Sequence, residues 1–392
     1  MKKTLTTLLL TVVILLGLGI VLLASASILQ AQRHYNGNPY AFFVLQAKWL
    51  FVAILIGVAC CKFDYHLWKR YLPLSATFYA VIAILLLLTL LPGIKREING
   101  SYRWLQIGSL PSFQPGEFAK LAIIIMTAVW MNKIGWRTKQ FLRGAVVPAA
   151  LIGILAVLLL LEKDFGALMV VGVLGGALMF IAGTSLWHLL VFAAPGVALF
   201  GWKIYHDSTR SSRITDWWNV IMPKDDGTHT VVGAAAHQLD QSILAFKIGG
   251  LWGSGFNQSI QKQIYLPESH TDFILAIGGE EFGFFFSIGV LACYVVLLIC
   301  GIMISTRAPD SLGRLLAFGM VLLLVFQGTF NIAVVTGLLP TKGLALPFIS
   351  YGGTNLITAL FAVGTLFNIG MHIGVHDERI HTKVVRDAVN TL

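Results

Sequence analysis

The strongest constraint on this chain is the recurrence of long stretches that contain no charged side chain. Thr4 to Gln32, Tyr71 to Ile94, Ala145 to Leu161, Gly166 to Trp202, Phe282 to Thr306, Leu315 to Thr341 and Gly343 to Val375 all lack Lys, Arg, Asp and Glu. Crossing the hydrocarbon core of a bilayer takes about 20 such residues, and a helix is the usual way to satisfy their backbone there. The run from Gly166 to Trp202 is long enough for two crossings, divided near Gly183-Thr184-Ser185. Two weaker spans complete the set: Ala41 to Cys61, interrupted by Lys48, and Phe113 to Asn132, interrupted by Glu117 and Lys120. The expectation is an all-α integral membrane protein of about ten transmembrane helices. Residues 1–375 form one polytopic domain, with a large outer loop (204–271) between spans seven and eight and a short cytoplasmic tail (376–392).

Composition agrees. With 57% hydrophobic and 12% charged residues, the chain is no ordinary soluble domain, in which about a quarter of residues are charged. Its net charge of +10 does not point to nucleic acid, because no basic patch interleaved with aromatics is present. With the N-terminus inside, the cations of Lys2-Lys3, Lys69-Arg70, Arg137, Arg143 and Arg314 fall in cytoplasmic segments, as the positive-inside bias requires. Lys2-Lys3, an apolar run and Ala24-Ser25-Ala26 imitate a cleaved signal. That run is about 20 residues, longer than the usual 7–15, so it is expected to stay as the first span. Cys60, Cys61, Cys293 and Cys300 lie in or at the ends of spans without metal-ligand spacing.

Polar residues at membrane depth then mark candidate chemistry. Asp272, in Leu266-Pro267-Glu268-Ser269-His270-Thr271-Asp272-Phe273, stands at the mouth of a long apolar run. A helix cap is its structural alternative; His270 and Glu268 crowding the same lip favour a chemical role. Glu280 and Glu281 sit about 12–14 Å deeper along the helix, from its 1.5 Å rise, and read as buried links between helices. Glu117 and Lys120, three apart, share a helix face, either as a buried salt bridge or as a polar patch in a substrate groove. Trp104 after Arg103 reads as an interfacial anchor or as a platform for a sugar. Gly337 to Gly353, with two prolines and several glycines, predicts a re-entrant loop beside a wet cavity. Its amides and Lys342 suit an anion.

These segments together resemble the SEDS family (shape, elongation, division and sporulation) of the FtsW/RodA type. The resemblance rests on Ser25-Ala26-Ser27, Arg103-Trp104-Leu105, Gln114-Pro115-Gly116-Glu117-Phe118-Ala119-Lys120, Asp164-Phe165-Gly166, Gly249-Gly250 with Gly253 and Gly255, Leu266 to Phe273, and Pro340 to Gly353. It implies a peptidoglycan glycosyltransferase that polymerises lipid II, an undecaprenyl-pyrophosphate-linked disaccharide peptide, outside the bacterial cytoplasmic membrane. Asp272 matches the family's catalytic acid. The residues expected to meet substrate are Arg103, Trp104, Glu117, Lys120, Arg213, His270, Lys342 and Ser350. Pro340-Thr341-Lys342-Gly343 looks closer to the division-type (FtsW) branch than to the elongation-type (RodA) branch. The implied partners are a class B penicillin-binding protein transpeptidase and other divisome proteins. A divalent cation is compatible with a pyrophosphate substrate, although no ligand cluster in the sequence specifies one. Three positions depart from the family pattern: Gly116 for Ser or Ala, Glu162-Lys163 for Gln-Pro, and Thr354-Asn355 for a Ser pair. A lipid-linked precursor flippase and a non-catalytic division scaffold are the rival readings.

Overall fold

The computed structural model describes residues 1–34, 38–91, 95–98, 101–106, 112–222, 233–263 and 266–390. Helices dominate: α1 (Lys2–Ala26), α2 (Ile28–His34), α3 (Ala41–Lys62), α4 (Leu67–Arg70) and α5 (Leu72–Leu88) come first. A small antiparallel hairpin, β1 (Lys95–Ile98) and β2 (Ser101–Leu105), follows. Then come α6 (Pro115–Ile134), α7 (Val147–Leu161), α8 (Phe165–Ile181), α9 (Leu186–His206), α10 (Ser208–Ile221), α11 (Ala234–Gly249), α12 (Ile274–Arg307), α13 (Ser311–Val335) and α14 (Gly353–Asn390). Among the described residues, eight helices are long and apolar enough to cross a membrane, and α5 and α8 are shorter apolar helices of 17 residues each.

The chain is therefore a multi-pass membrane protein of helical class. Two details differ from the sequence reading. The hairpin was not foreseen, because its polar, charged residues lack an alternating pattern. The outer segment expected to begin at 204 starts later, since α9 runs to His206, and much of it is helical in α10 and α11. Residues 223–232 lie outside the described residues. The break near Gly183 is as read. Gly183 takes φ +91, a conformation open to glycine, and Thr184 Oγ1 donates to Gly144 O at 3.0 Å.

The core is built on α6, α12 and α13. α6 touches α5, α8 and α13, while α12 lies against α1, α11 and α13. α9 buries none of its residues and exposes Trp187, Val197 and Leu199, as expected of a face bathed in lipid.

α12 is not continuous. Gly283 takes φ +80 and ψ −171, which breaks the helical hydrogen-bond ladder and leaves carbonyls without partners. The segment after α11 supplies them: Ser254 N donates to Glu280 O at 2.9 Å and Gly255 N to Glu281 O at 3.0 Å. The side chains complete the clamp. Glu280, fully buried, accepts from Ser259 Oγ at 2.5 Å and Ile260 N at 2.8 Å. Glu281 accepts from Lys262 Nζ at 2.8 Å and from Ser25 Oγ of α1 at 2.6 Å. The expected linking role of both glutamates is thus met, with Lys262 as the counter-charge.

Breaking a buried pair by removing one partner costs about 3–5 kcal/mol, because a lone charge stays buried, whereas neutral replacement of both costs far less. Lys262→Ala is expected to lower stability by that amount, and Lys262→Met with Glu281→Gln to recover most of the loss. Thermal unfolding of the detergent-solubilised protein measures both, and equal losses in the two variants would refute the pairing.

Candidate active site

The N-terminal half of α12 begins after Phe273, its N-cap residue. Among the described residues no backbone amide donates to the Asp272 carboxylate, so Asp272 does not act as a helix cap. Its backbone is held instead by the loop between α13 and α14. Asn331 Nδ2 of α13 donates to both Asp272 O and Leu344 O, each at 2.7 Å. Ser350 Oγ donates to Thr271 O at 2.6 Å and accepts from Leu346 N at 2.8 Å, and Tyr351 N donates to His270 O at 3.0 Å. The expected irregular loop spans the interval between Val335 and Gly353, stitched to the Asp272 segment along its length. At Gly343 a Cβ would lie 2.1 Å from Asp272 Oδ2, so only glycine leaves room for the carboxylate.

A second acid faces the same space. Asp164 precedes α8 and caps it, Oδ1 accepting from Ala167 N at 3.1 Å, while Oδ2 accepts from Gln114 Nε2 at 3.1 Å. The hairpin is strapped onto this turn by Tyr102 N to Glu162 O at 3.1 Å and Ser101 Oγ to Lys163 O at 3.4 Å. That strap brings Arg103 beside Asp164. α10 adds Arg210, whose guanidinium lies 3.5 Å over the Phe165 ring and whose Nη2 donates to Lys163 O at 3.2 Å. Arg213 follows one turn later. Trp217, on the same face, anchors the helix by donating from Nε1 to Gly337 O at 2.8 Å. Lys342 Nζ sits 5.2 Å from the Phe165 ring centre. Lys163, Glu268 and Phe348 around this site all take positive φ, a conformation that costs a side-chain-bearing residue and persists where surrounding structure imposes it.

The electrostatics separate the two acids. Burial, aided by Glu268, pushes Asp272 up to about 6, against the pull of Arg103 and Arg213. Burial acts on Asp164 in the same direction, yet Arg103, the Ala167 amide, Lys342 and Lys120 hold it below the usual carboxylate range. Burial brings Lys342 down to about 7, partly offset by Asp164. The arrangement is one permanent anion, one carboxylate that titrates just below neutrality, three guanidinium groups, and a lysine that is about half charged at neutral pH.

Of the residues expected to meet substrate, Asp272, Arg103, Arg213 and Lys342 share this field. Trp104 is half-buried on β2, next to Arg103. Four others are buried. His270 lies between the rings of Phe42 and Tyr351, at 4.8 and 5.7 Å. Ser350 is taken up by its bond to Thr271 O. Glu117 and Lys120 face each other at 2.5 Å in a buried salt bridge, with Lys120 fully enclosed. Asp164, Gln114 and Arg210 were missed as site residues. Asp164 lay in a quoted motif, and the 210, 213, 217 spacing on one helix face was the available signal for Arg210.

Comparison with known proteins adds the lineage. The family described as cell cycle protein (FtsW, RodA and SpoVE) matches residues 6–374. The chain belongs to the FtsW/RodA/SpoVE family. A probable peptidoglycan glycosyltransferase FtsW of Geobacter sp. (strain M18) is 38% identical over 364 residues, covering 91% of this chain and 94% of the relative. A protein of the same description from Coxiella burnetii is 37% identical over 361 residues, covering 91% and 93%. Among solved structures, a chain from a peptidoglycan synthase complex that coordinates polymerization and crosslinking superposes with a TM-score of 0.73 at 25% identity, covering 93% of this chain and 97% of that one. The rod shape determining protein RodA of Thermus thermophilus gives 0.63 at 27% identity, covering 93% and 95%.

The raised acidity range of Asp272 is directly measurable. Its carboxylic acid infrared band is expected to disappear as pH rises through about 6, and to be absent from Asp272→Asn. Arg103→Gln removes a cation that stabilises the carboxylate, so the midpoint moves up; a midpoint near 4 in the parental protein refutes this account.

Proposed function

We propose that the chain is a division-type peptidoglycan glycosyltransferase that polymerises lipid II at the outer face of the bacterial cytoplasmic membrane. The observation that carries the reading is Asp272, lodged against Gly343 at the lip of α12 with Arg103 and Arg213 acting on it, and with Arg210 and Lys342 gathered at neighbouring Asp164 and Phe165. Near neutral pH a carboxylate whose range centres on about 6 is mostly ionised and still basic enough to accept a proton. It takes the proton of the 4-hydroxyl on an acceptor GlcNAc. That oxygen attacks the anomeric carbon of the donor MurNAc, the bond to the polyprenyl pyrophosphate breaks, and the configuration inverts. The charge that builds on the departing pyrophosphate meets the guanidinium groups and Lys342, preplaced by the loop and by α10. Asp164 keeps those cations in place between turnovers.

A divalent cation at this site would share Asp272 with the substrate's phosphates. Among the described residues, the acids here do not converge as a three-ligand group, and magnesium commonly binds through one or two carboxylates plus phosphates. The relatives' descriptions favour division over elongation. The coordination of polymerization and crosslinking in the similar synthase complex supports a crosslinking partner, here a class B penicillin-binding protein; other division proteins are proposed on the family resemblance alone. A flippase would need cations along a membrane-crossing path. Lys120 is neutralised by Glu117, and Lys48 lies on an exposed face of α3, which weighs against transport.

Asp272→Asn is expected to reduce lipid II polymerisation by about 10²–10⁴-fold, the usual worth of a general base, with the melting temperature retained. Purified protein is assayed with and without a class B penicillin-binding protein; parental activity in the variant defeats the assignment, and inactivity of both proteins under both conditions favours the scaffold. Gly343→Ala tests geometry separately. Its methyl displaces the Asp272 carboxylate by roughly an ångström, and a loss near 10² in kcat is expected.

A further inference from the structure

A second constellation lies at the opposite end of α12 from Asp272, beyond Arg307. Asp64 and His66 follow the C-terminus of α3, Asp310 caps α13, and His372 belongs to α14. Asp64, His66 and His372 each offer one ligand atom, all within 4.8 Å of one another. His372 Nε2 stands 3.6 Å from Asp64 Oδ1, and His66 Nε2 stands 3.8 Å from Asp310 Oδ2.

Most of the surrounding bonds suit a metal site; the exception is the hydrogen bond of His66 Nδ1 to Asp64 Oδ1 at 2.7 Å, which Asp64 gives up on ligating an ion. His372 Nδ1 lies 2.9 Å from Asn368 O. A backbone carbonyl can only accept, so Nδ1 carries the proton and Nε2 presents its lone pair to the cluster. The Asn368 side chain reaches across to α3, donating to Cys61 O at 2.8 Å and accepting from Tyr65 N at 3.1 Å. That link fixes where Asp64 and His66 emerge. Asp310 spends Oδ1 on Tyr65 Oη at 2.7 Å and Gly313 N at 3.0 Å. Among the described residues its Oδ2 has no hydrogen-bond partner, and it lies 3.8 Å from His66 Nε2. The side chains remain between a quarter and a half exposed, so an ion can enter from water.

We propose that Asp64, His66 and His372, with Asp310 beside them, bind a first-row divalent cation such as Zn²⁺. Two imidazoles with two carboxylates suit a borderline ion of this kind better than Mg²⁺ or Ca²⁺, which take oxygen donors. Tetrahedral bonds of about 2.1 Å place ligand atoms roughly 3.4 Å apart, close to the 3.6 and 3.8 Å separations here. Closing the widest gap takes a contraction of roughly 1–1.5 Å against that spacing, within the reach of half-exposed side chains. The bound ion ties the end of α3 to the start of α13 and to α14, three elements far apart in sequence. This site shares no residue with the transfer chemistry and stands or falls apart from it.

The test uses the full-length, tag-free protein in detergent, stripped with a chelator and titrated with Zn²⁺ and with Co²⁺. One ion per chain is expected, with a rise in melting temperature and the visible absorption of a nitrogen-ligated, four-coordinate Co²⁺. His66→Gln and His372→Gln are each expected to weaken binding at least about tenfold, as loss of a ligand should exceed the 10–100-fold worth of an outer partner at its lower end. His206→Gln, remote from the cluster, leaves it unchanged. No binding by the parental chain, or undiminished binding by the double variant His66→Gln/His372→Gln, overturns the site. If a variant fails to fold, the parental Co²⁺ spectrum decides, because an all-oxygen octahedral signature also overturns it.

Discussion

The break in α12 at Gly283 is the constraint on which the remaining architecture rests. An unbroken helix from Ile274 to Arg307 would carry its backbone bonds internally and give the preceding loop nothing to hold. The break frees the carbonyls of Glu280 and Glu281, and the amides of Ser254 and Gly255 close on them. Gly253 must be glycine for the same reason, since a Cβ there would lie 2.2 Å from Glu281 O. The N-terminal half of α12 is thereby fastened to α11, to the segment around Lys262 and, through Ser25, to α1. Asp272 sits at the tip of that fastened half-helix, so its place is set by bonds made about two and a half turns along it.

The same economy of charge governs the site above. Two carboxylates, Asp164 and Asp272, share an environment of three guanidinium groups and Lys342, and their surroundings drive their acidities apart. Asp164 has a helix amide and a side-chain amide to hold it as an anion. Asp272 has Glu268 for a neighbour and, among the described residues, no comparable donors to its carboxylate, so it is the one poised to exchange a proton. Such a division of labour between adjacent acids is a general means of obtaining both a fixed charge and a base near neutral pH. Phe165 lets the cations gather, since Arg210 and Lys342 both approach its ring, whose negative face offsets part of their repulsion.

Legibility in the sequence followed the range of the interactions. The helical membrane class came from uncharged runs, a property of consecutive residues. Asp272 came from one carboxylate placed at the edge of such a run, and the linking role of Glu280 and Glu281 from their depth in it. What escaped was made by residues distant in the chain. Lys262 as partner of Glu281, Asn331 as the clamp on Asp272, and the meeting of His66 with His372 have no local signature. The hairpin escaped because its stability comes from the turn around Glu162 and not from its own pattern. For Glu117 and Lys120 the sequence left a salt bridge and a groove lining both open: polarity in a membrane sequence marks importance, but only packing tells whether the group faces a cavity or a partner.

Glu162 shows how packing can also soften a change in chemistry. A carboxylate where the SEDS pattern has a glutamine would add a negative charge next to Asp164 and compete for Arg103. The side chain is fully buried, and burial pushes it up to about 8, against the opposing hydrogen bond from Thr89 Oγ1 at 2.5 Å. At neutral pH it is therefore mostly protonated, carrying one donor and one acceptor much as the amide would. The charge count at the lip stays as Asp164 and Asp272 set it, and the substitution alters shape more than field.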